Sequence, residues 1–237
     1  MGDLLARLLG LVEVCVISGG QFEQFRTQVV ERLPVLDDAQ AARLHLMPTC
    51  GTQYWRRTSD EGHPADGWAQ VYAENLSDDQ KQRATTALET QARGLGLWEA
   101  ETWGPILEDR GSQITFSALG QAAPVAAKSA WDPTGERKSA LRAAVAALVP
   151  DLEVRSGGST SVDVTRKGID KAYGMRRLAE VTGVALDDML FVGDRLDPDG
   201  NDYPVKALGV PTHAVSGWTE TADYLETLIA DLQVVRV

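Results

Sequence analysis

Two short apolar runs near opposite ends of the chain constrain its architecture most. Leu11-Val-Glu-Val-Cys-Val-Ile17 is β-branched and almost continuously apolar, and it stops at Ser18-Gly19-Gly20. A helix from about Gln21 to Arg32 follows, with Phe22, Phe25, Val29 and Leu33 at helical spacing and Pro34 closing it. Met189-Leu-Phe-Val192 repeats the apolar run, preceded by a predicted helix from about Lys171 to Thr182. The strand Val210–Val215 and a helix from Glu220 to about Leu232 complete the rhythm. Buried strands that alternate with helices make a parallel α/β sheet covered on both faces.

The middle of the chain has a different period. Gly51–Trp55 and Gly67–Tyr72 read as a hairpin around a polar loop that contains Ser59-Asp-Glu-Gly62. Ser77-Asp-Asp-Gln80 reads as the start of a helix that ends near Gly94. Gln113-Ile-Thr-Phe-Ser117 alternates as a strand, Asp132-Pro-Thr-Gly begins an alanine-rich helix to about Leu148, and Leu152–Arg155 and Ser161–Val164 are short strands. The expected fold class is therefore α/β: a Rossmann-like parallel-sheet core, residues 1–75 and 166–237, with an α+β cap inserted at 76–165.

Composition removes several function classes. The formal net charge of −11 argues against nucleic-acid binding by bulk electrostatics. No apolar run is long enough for a membrane span, and Asp3, Arg7 and Glu13 interrupt the first stretch, which argues against a secretory signal. Cys15 and Cys50 lie in apolar contexts without metal-ligand spacing, so they fit a reducing, cytoplasmic setting better than a disulfide framework. His45, which reads as a strand residue, His63 and His213 lack ligand spacing, and the six tryptophans have no basic patch beside them.

Three segments carry candidate chemistry. The run Phe191-Val-Gly-Asp194 delivers a carboxylate at the carboxyl end of a strand, where open α/β sheets place their ligands. The next residues add Asp197, Asp199, Asn201 and Asp202, an oxygen-rich set that suits hard Mg²⁺. Asp, Asn, Pro and Gly are also ordinary turn formers, so on spacing alone both readings stand. Ser18-Gly19-Gly20, at a strand end before a helix, suits an anion such as phosphate, or is simply a tight turn. Lys171 opens a helix after the inserted region and could neutralise phosphate, although exposed lysines are commonplace.

Taken in order, Val16-Ile-Ser-Gly-Gly20, Gly168-Ile-Asp-Lys171 and Phe191-Val-Gly-Asp…Gly-Asn-Asp202 resemble motifs two, three and four of the haloacid-dehalogenase-like phosphatase and phosphomutase superfamily. The branch resembled is the type IIB branch, whose cap lies between motifs two and three. Glu108–Gly120 and Ser156-Gly-Gly-Ser-Thr-Ser-Val-Asp-Val164 resemble the cap segments of its phosphomannomutase-like group. The resemblance implies phosphoryl transfer on a phosphorylated sugar or similar small phosphate ester through an aspartyl phosphate. Mg²⁺ would be held by Asp194 with Asn201 and Asp202, the phosphoryl group by Ser18 and Gly19, and Lys171 would stabilise the phospho-enzyme and its nucleophile. In the cap, Arg110, Ser161 and Asp163 match hexose-phosphate-binding positions. A cap-mediated homodimer is implied as well.

Two departures shape the expectation. Gln121 and Lys128 stand where the group has arginines, so the bidentate fork is lost twice. This weakens the case for mannose-phosphate mutase specificity and favours a sugar-phosphate phosphatase. Motif one of the superfamily, Asp-x-Asp-Gly-Thr on the first strand, supplies the nucleophile and the general acid, and it has no counterpart ahead of Ser18. The 237-residue polypeptide is accordingly expected not to turn over. The rival expectations are a non-catalytic sugar-phosphate-binding pseudo-enzyme and an inert fragment.

Overall fold

A computed structural model describes residues 1–58 and 67–235. The expected loop Ser59–Gly62 and His63 lie outside the described residues. The chain divides into two compact units, Met1–Ala73 with Asp170–Val237, and Glu74–Ile169.

The first unit is an α/β core. Helix α1 (Gly2–Leu9) buries Leu4, Leu8 and Leu9, and two of these pack on Leu225 and Ile229 of the last helix, α9 (Trp218–Val235). Strand β1 (Val14–Ile17) starts later than the apolar run suggests, because the amides of Leu11 and Val12 still bond back to the Leu8 carbonyl. Helix α2 (Phe22–Gln28) opens on a reciprocal cap between Gln21 and Gln24 and gives way to a 3₁₀ turn at Val30–Arg32. Helix α3 (Asp38–Ala42) leads into β2 (Leu44–Met47), which pairs parallel with β1 and contains His45. Strands β3 (Gln53–Arg57) and β4 (Trp68–Ala73) form the expected hairpin and extend the sheet in the order β1-β2-β3-β4. After the insertion come α7 (Lys171–Thr182), β9 (Phe191–Gly193), α8 (Tyr203–Ala207) and β10 (Thr212–Ala214), and β9 pairs parallel with β10. Among the described residues, β1 and β9 each have a strand partner on one side only.

The second unit is α+β. Helix α4 (Asp78–Gly94) carries the expected Ser77–Gln80 capping box. Its sheet runs β5-β6-β8-β7 and is antiparallel throughout: β5 is Leu107–Asp109, β6 Gln113–Ser117, β7 Leu152–Ser156 and β8 Ser161–Arg166. Helices α5 (Val125–Trp131) and α6 (Glu136–Leu148) lie between β6 and β7. Asp132 does not begin α6, as the sequence suggested. Its carboxylate instead accepts the amides of Arg137 and Lys138 and so satisfies the helix start from outside. One face of the sheet, with Ile114, Phe116, Val154, Val162 and Val164, forms the hydrophobic core with Leu88, Leu141 and Val145 of α4 and α6. The fold class is α/β, with an α+β unit inserted into a Rossmann-like core.

Candidate functional site

The chemistry-bearing residues of the core gather at strand and helix ends. Ser18 lies exposed just past β1, where its hydroxyl accepts the Gly20 amide at 3.2 Å. That contact fills an acceptor site and leaves the hydroxyl proton available for an anion oxygen. Gly19 lies half-buried between them. The Ser18 carbonyl accepts the Cys50 amide at 2.9 Å, and the Gly20 carbonyl accepts that of Thr49 at 2.9 Å. Three consecutive residues of that turn, Thr49, Cys50 and Gly51, have positive φ. For a β-branched threonine this is an uncommon conformation.

Glycines bring the turn against α7. A Cβ on Gly51 would lie 2.5 Å from the Gly174 Cα, and one on Gly174 would lie 2.7 Å from the Cys50 carbonyl oxygen and 2.2 Å from Ile17 Cδ1. Lys171 is the first residue of α7, whose start is capped by Asp170 accepting the Tyr173 amide at 2.8 Å. Ser18 and the lysine-bearing helix are thus joined through one backbone contact.

Lys171 Nζ bonds Asp202 Oδ1, and Asp202 is 1% exposed. The other Asp202 oxygen accepts the Arg195 amide at 3.1 Å. A Cβ at residue 193 would lie 2.6 Å from that oxygen, which accounts for glycine before Asp194. Asp202 therefore braces Lys171 against the loop that leaves β9. Asp194 and Asn201 are exposed on that loop. Asp197 is paired with Arg195 at 3.0 Å, which lowers its carboxyl pKa. Among the described residues no three His, Cys, Asp or Glu side chains converge. The donors present, one exposed carboxylate and one amide oxygen, fit Mg²⁺ carried largely by water and phosphate oxygens, and they do not fit a metal that needs a closed protein cage.

The second unit has a polar sheet face opposite its apolar one, on which Arg110, Gln113, Thr115, Ser117 and Thr165 are buried. Register sets Glu108, Thr115, Asp163 and Arg155 side by side across all four strands. Gln113 pairs with Thr165 and Thr165 with Glu153, and Ser117 pairs with Ser161. Thr115 donates to Asp163 at 2.8 Å and receives Gln113 at 2.7 Å. Arg110 is held by Glu108, whose Oε2 takes Nε at 3.0 Å and Nη2 at 2.8 Å. Desolvation raises the Asp163 pKa, opposed by the charge of Arg110 and the Thr115 bond. A Cβ on Gly157 would lie 2.6 Å from Asp163 Oδ2, so that glycine makes room for the carboxylate.

Of the expected cap residues, Arg110, Ser161 and Asp163 belong to this face. Lys128 instead donates to the Gln121 carbonyl at 2.6 Å, so those two residues bind each other. Glu108, Gln113, Thr115, Ser117 and Arg155 are additions the sequence reading missed. The signal for Gln113, Thr115 and Ser117 was the strict alternation of Gln113–Ser117, which segregates polar from apolar side chains.

Among curated proteins no sequence matches. Among solved structures, the IMP-nucleotidase of Plasmodium falciparum superposes with a TM-score of 0.68 at 13% identity, over 100% of this chain and 64% of that one. This chain therefore spans less than two thirds of that protein's length. A haloacid dehalogenase-like hydrolase from Bacteroides thetaiotaomicron gives 0.59 at 12% identity, covering 95% and 90% of the two chains. A trehalose-6-phosphate phosphatase related protein gives 0.52 at 15%, covering 99% and 88%. At such low identities these superpositions show a shared fold alone. The eukaryotic phosphomannomutase family matches residues 104–230, a span that runs from the start of the polar sheet through Lys171 and Asp202 into α9. Matched over more than half its length, the chain belongs to the eukaryotic phosphomannomutase family.

Proposed function

We propose that this chain carries the phosphate-handling and sugar-recognition parts of a Mg²⁺-dependent phosphoryl-transfer enzyme acting on sugar phosphates. The observation that carries the reading is the buried Lys171–Asp202 pair, tied to the Arg195 amide at the end of β9. An ammonium fixed at the first turn of a helix and paired with Asp202, whose loop also carries the exposed Asp194, suits a phosphoryl group arriving with its cation. Ser18 donates its hydroxyl to a phosphoryl oxygen. Lys171 offsets negative charge on the phosphoryl group and on its acceptor, and Asp202 keeps Lys171 from turning away. Asp194 and Asn201 would hold Mg²⁺, which when bound supplies positive charge to the phosphoryl oxygens. On the cap sheet, the partly exposed Ser161 and Asp163 and the exposed Arg155 would supply donors and acceptors for sugar hydroxyls. The phosphate esters named among the structural neighbours, IMP and trehalose 6-phosphate, support a small phosphate ester as the ligand class.

The acceptor of the aspartyl-phosphate step has no candidate ahead of Ser18 in this sequence. The test is calorimetric binding of hexose phosphates to the 237-residue chain with and without Mg²⁺, together with release of inorganic phosphate. The expected result is saturable binding, strengthened by Mg²⁺ and weakened at least tenfold by Lys171→Ala, with no turnover. Failure to bind any hexose phosphate would overturn the reading. Turnover by this polypeptide would overturn only the placement of the acceptor. The alternative is a non-catalytic sugar-phosphate binder; release of phosphate from a bound hexose phosphate would exclude it.

A further inference from the structure

The turn that grips the Ser18 loop is held in a backbone conformation that its own residues disfavour. Thr49, Cys50 and Gly51 follow one another at φ 49°, 57° and 86°, and only the last is a glycine. Left-handed backbone crowds the Cβ of any other residue against the following carbonyl, so such a run persists only where its surroundings hold it. Within the turn, the Gly51 amide donates to the Pro48 carbonyl at 3.0 Å and the Thr52 hydroxyl to the Thr49 carbonyl at 2.8 Å. From β4, the Tyr72 hydroxyl donates to the Gly51 carbonyl at 2.8 Å. The face of the same ring meets Arg177 of α7, whose guanidinium carbon is 4.6 Å from the ring centre. The ring is itself set by Tyr54, its register partner on β3, which is buried with its centroid 5.8 Å away. Tyr72 thus touches both sides of the Gly51–Gly174 contact, the turn through its hydroxyl and the helix through its ring.

We infer that Tyr72 is a positioning residue for phosphate binding, acting on Ser18 through the left-handed turn. The inference rests on the phosphoryl-holding role of Ser18 proposed above and adds a residue outside the loops that carry that role. The route runs through the backbone. Tyr72 fixes the Gly51 carbonyl, which keeps Thr49 and Cys50 left-handed, and their amides fix the carbonyls of Gly20 and Ser18, each at 2.9 Å, on either side of Gly19. Without the hydroxyl, the Gly51 peptide can rotate toward a less crowded conformation and draw those two amides away from the loop. Ser18 would then lose the frame that aims its hydroxyl at an anion oxygen.

The test titrates the 237-residue chain calorimetrically with inorganic phosphate and with glucose 6-phosphate, below the unfolding temperature of every variant, and follows amide hydrogen exchange at Thr49 and Cys50. Tyr72→Phe keeps the ring and its Arg177 contact and removes only the hydroxyl. It is expected to weaken binding at least threefold and to speed exchange at those two amides at least tenfold, with the β6 and β8 amides unchanged. Cys50→Gly relieves the crowding in the turn while keeping the amide that holds Ser18, so adding it to Tyr72→Phe is expected to restore most of the lost affinity. A hydroxyl with a merely structural role would lower the melting temperature and leave the affinity of the folded chain unmoved. Arg177→Met, which takes the cation off the ring, is expected to weaken binding in the same direction and serves if Tyr72→Phe fails to fold. Unchanged affinity in the variant read, or no recovery on adding Cys50→Gly to it, would overturn this inference and leave the sugar-phosphate reading intact. Absence of binding of both ligands by the unaltered chain would overturn both.

Discussion

The core site and the cap face settle their charges in opposite ways. In the core, one ammonium and one carboxylate close on each other almost out of solvent, with a backbone amide taking the remaining carboxylate oxygen. In the cap, charge is spread across four strands and diluted among hydroxyls and an amide, with Asp163 left partly desolvated. A concentrated pair holds one strong anion in one place. A distributed face has weaker, two-way contacts that suit a ligand carrying several hydroxyls.

That contrast can be broken by substitution. Asp202→Ala should have the largest effect, a loss of about 3 to 5 kcal/mol in urea unfolding, because it strands the buried Lys171 charge. A loss below about 1 kcal/mol would show that the pair is solvated and the contrast wrong. Gly174→Ala should cost about 1 to 3 kcal/mol, since its methyl would drive into Ile17 and the Cys50 carbonyl. It should also weaken inorganic phosphate binding, whereas a purely structural contact would leave affinity unchanged in the folded fraction.

His45 supplies a smaller, pH-dependent effect. It is buried against the Tyr54 hydroxyl at 2.7 Å, and desolvation lowers its pKa, opposed by Glu13. The unfolded chain therefore binds a proton that the folded one resists. The stabilisation is present above the unfolded value of about 6.5 and lost as pH falls below it. His45→Gln should flatten the slope of stability between about pH 6.5 and 5; an unchanged slope would place the acid sensitivity elsewhere.

Asp163→Asn sharpens the comparison from the other side, with the smallest effect on stability. The folded-state pKa of Asp163 is raised, so its contribution is present below the unfolded value and lost as pH rises through the folded one. Burial disfavours the ionised carboxylate, so the variant should melt no lower than the parent while binding hexose phosphate at least tenfold more weakly. A large drop in melting temperature would make Asp163 a structural residue.

Much of the core was legible because its motifs are local. Ser18, Lys171 and Asp194 each lie at the end of a strand or the start of a helix that apolar periodicity marks out. What Asp202 does was not legible. Turn composition marks the loop, but only the tertiary fold turns one aspartate inward onto Lys171 while Asp194 stays outside. The cap face was half legible: alternation shows that β6 and β8 have a polar side, yet the row Glu108–Thr115–Asp163–Arg155 depends on register, which sequence spacing does not set. Helices α3 and α8 are five residues each, too short for periodicity to register, and α5 is hidden in an alanine-rich stretch without strong signals at its ends.

The near-touching backbones of Gly51 and Gly174 reach beyond stability. A helix seated on side chains can roll or slide as those side chains change rotamer, and the jitter would pass to anything at its tip. Seated on main chain, α7 has a fixed pivot one turn from Lys171. Sequence drift on its outer surface, at Arg176 or Glu180 for instance, can then accumulate without moving the ammonium, and the tolerance for such drift ends abruptly at two glycines.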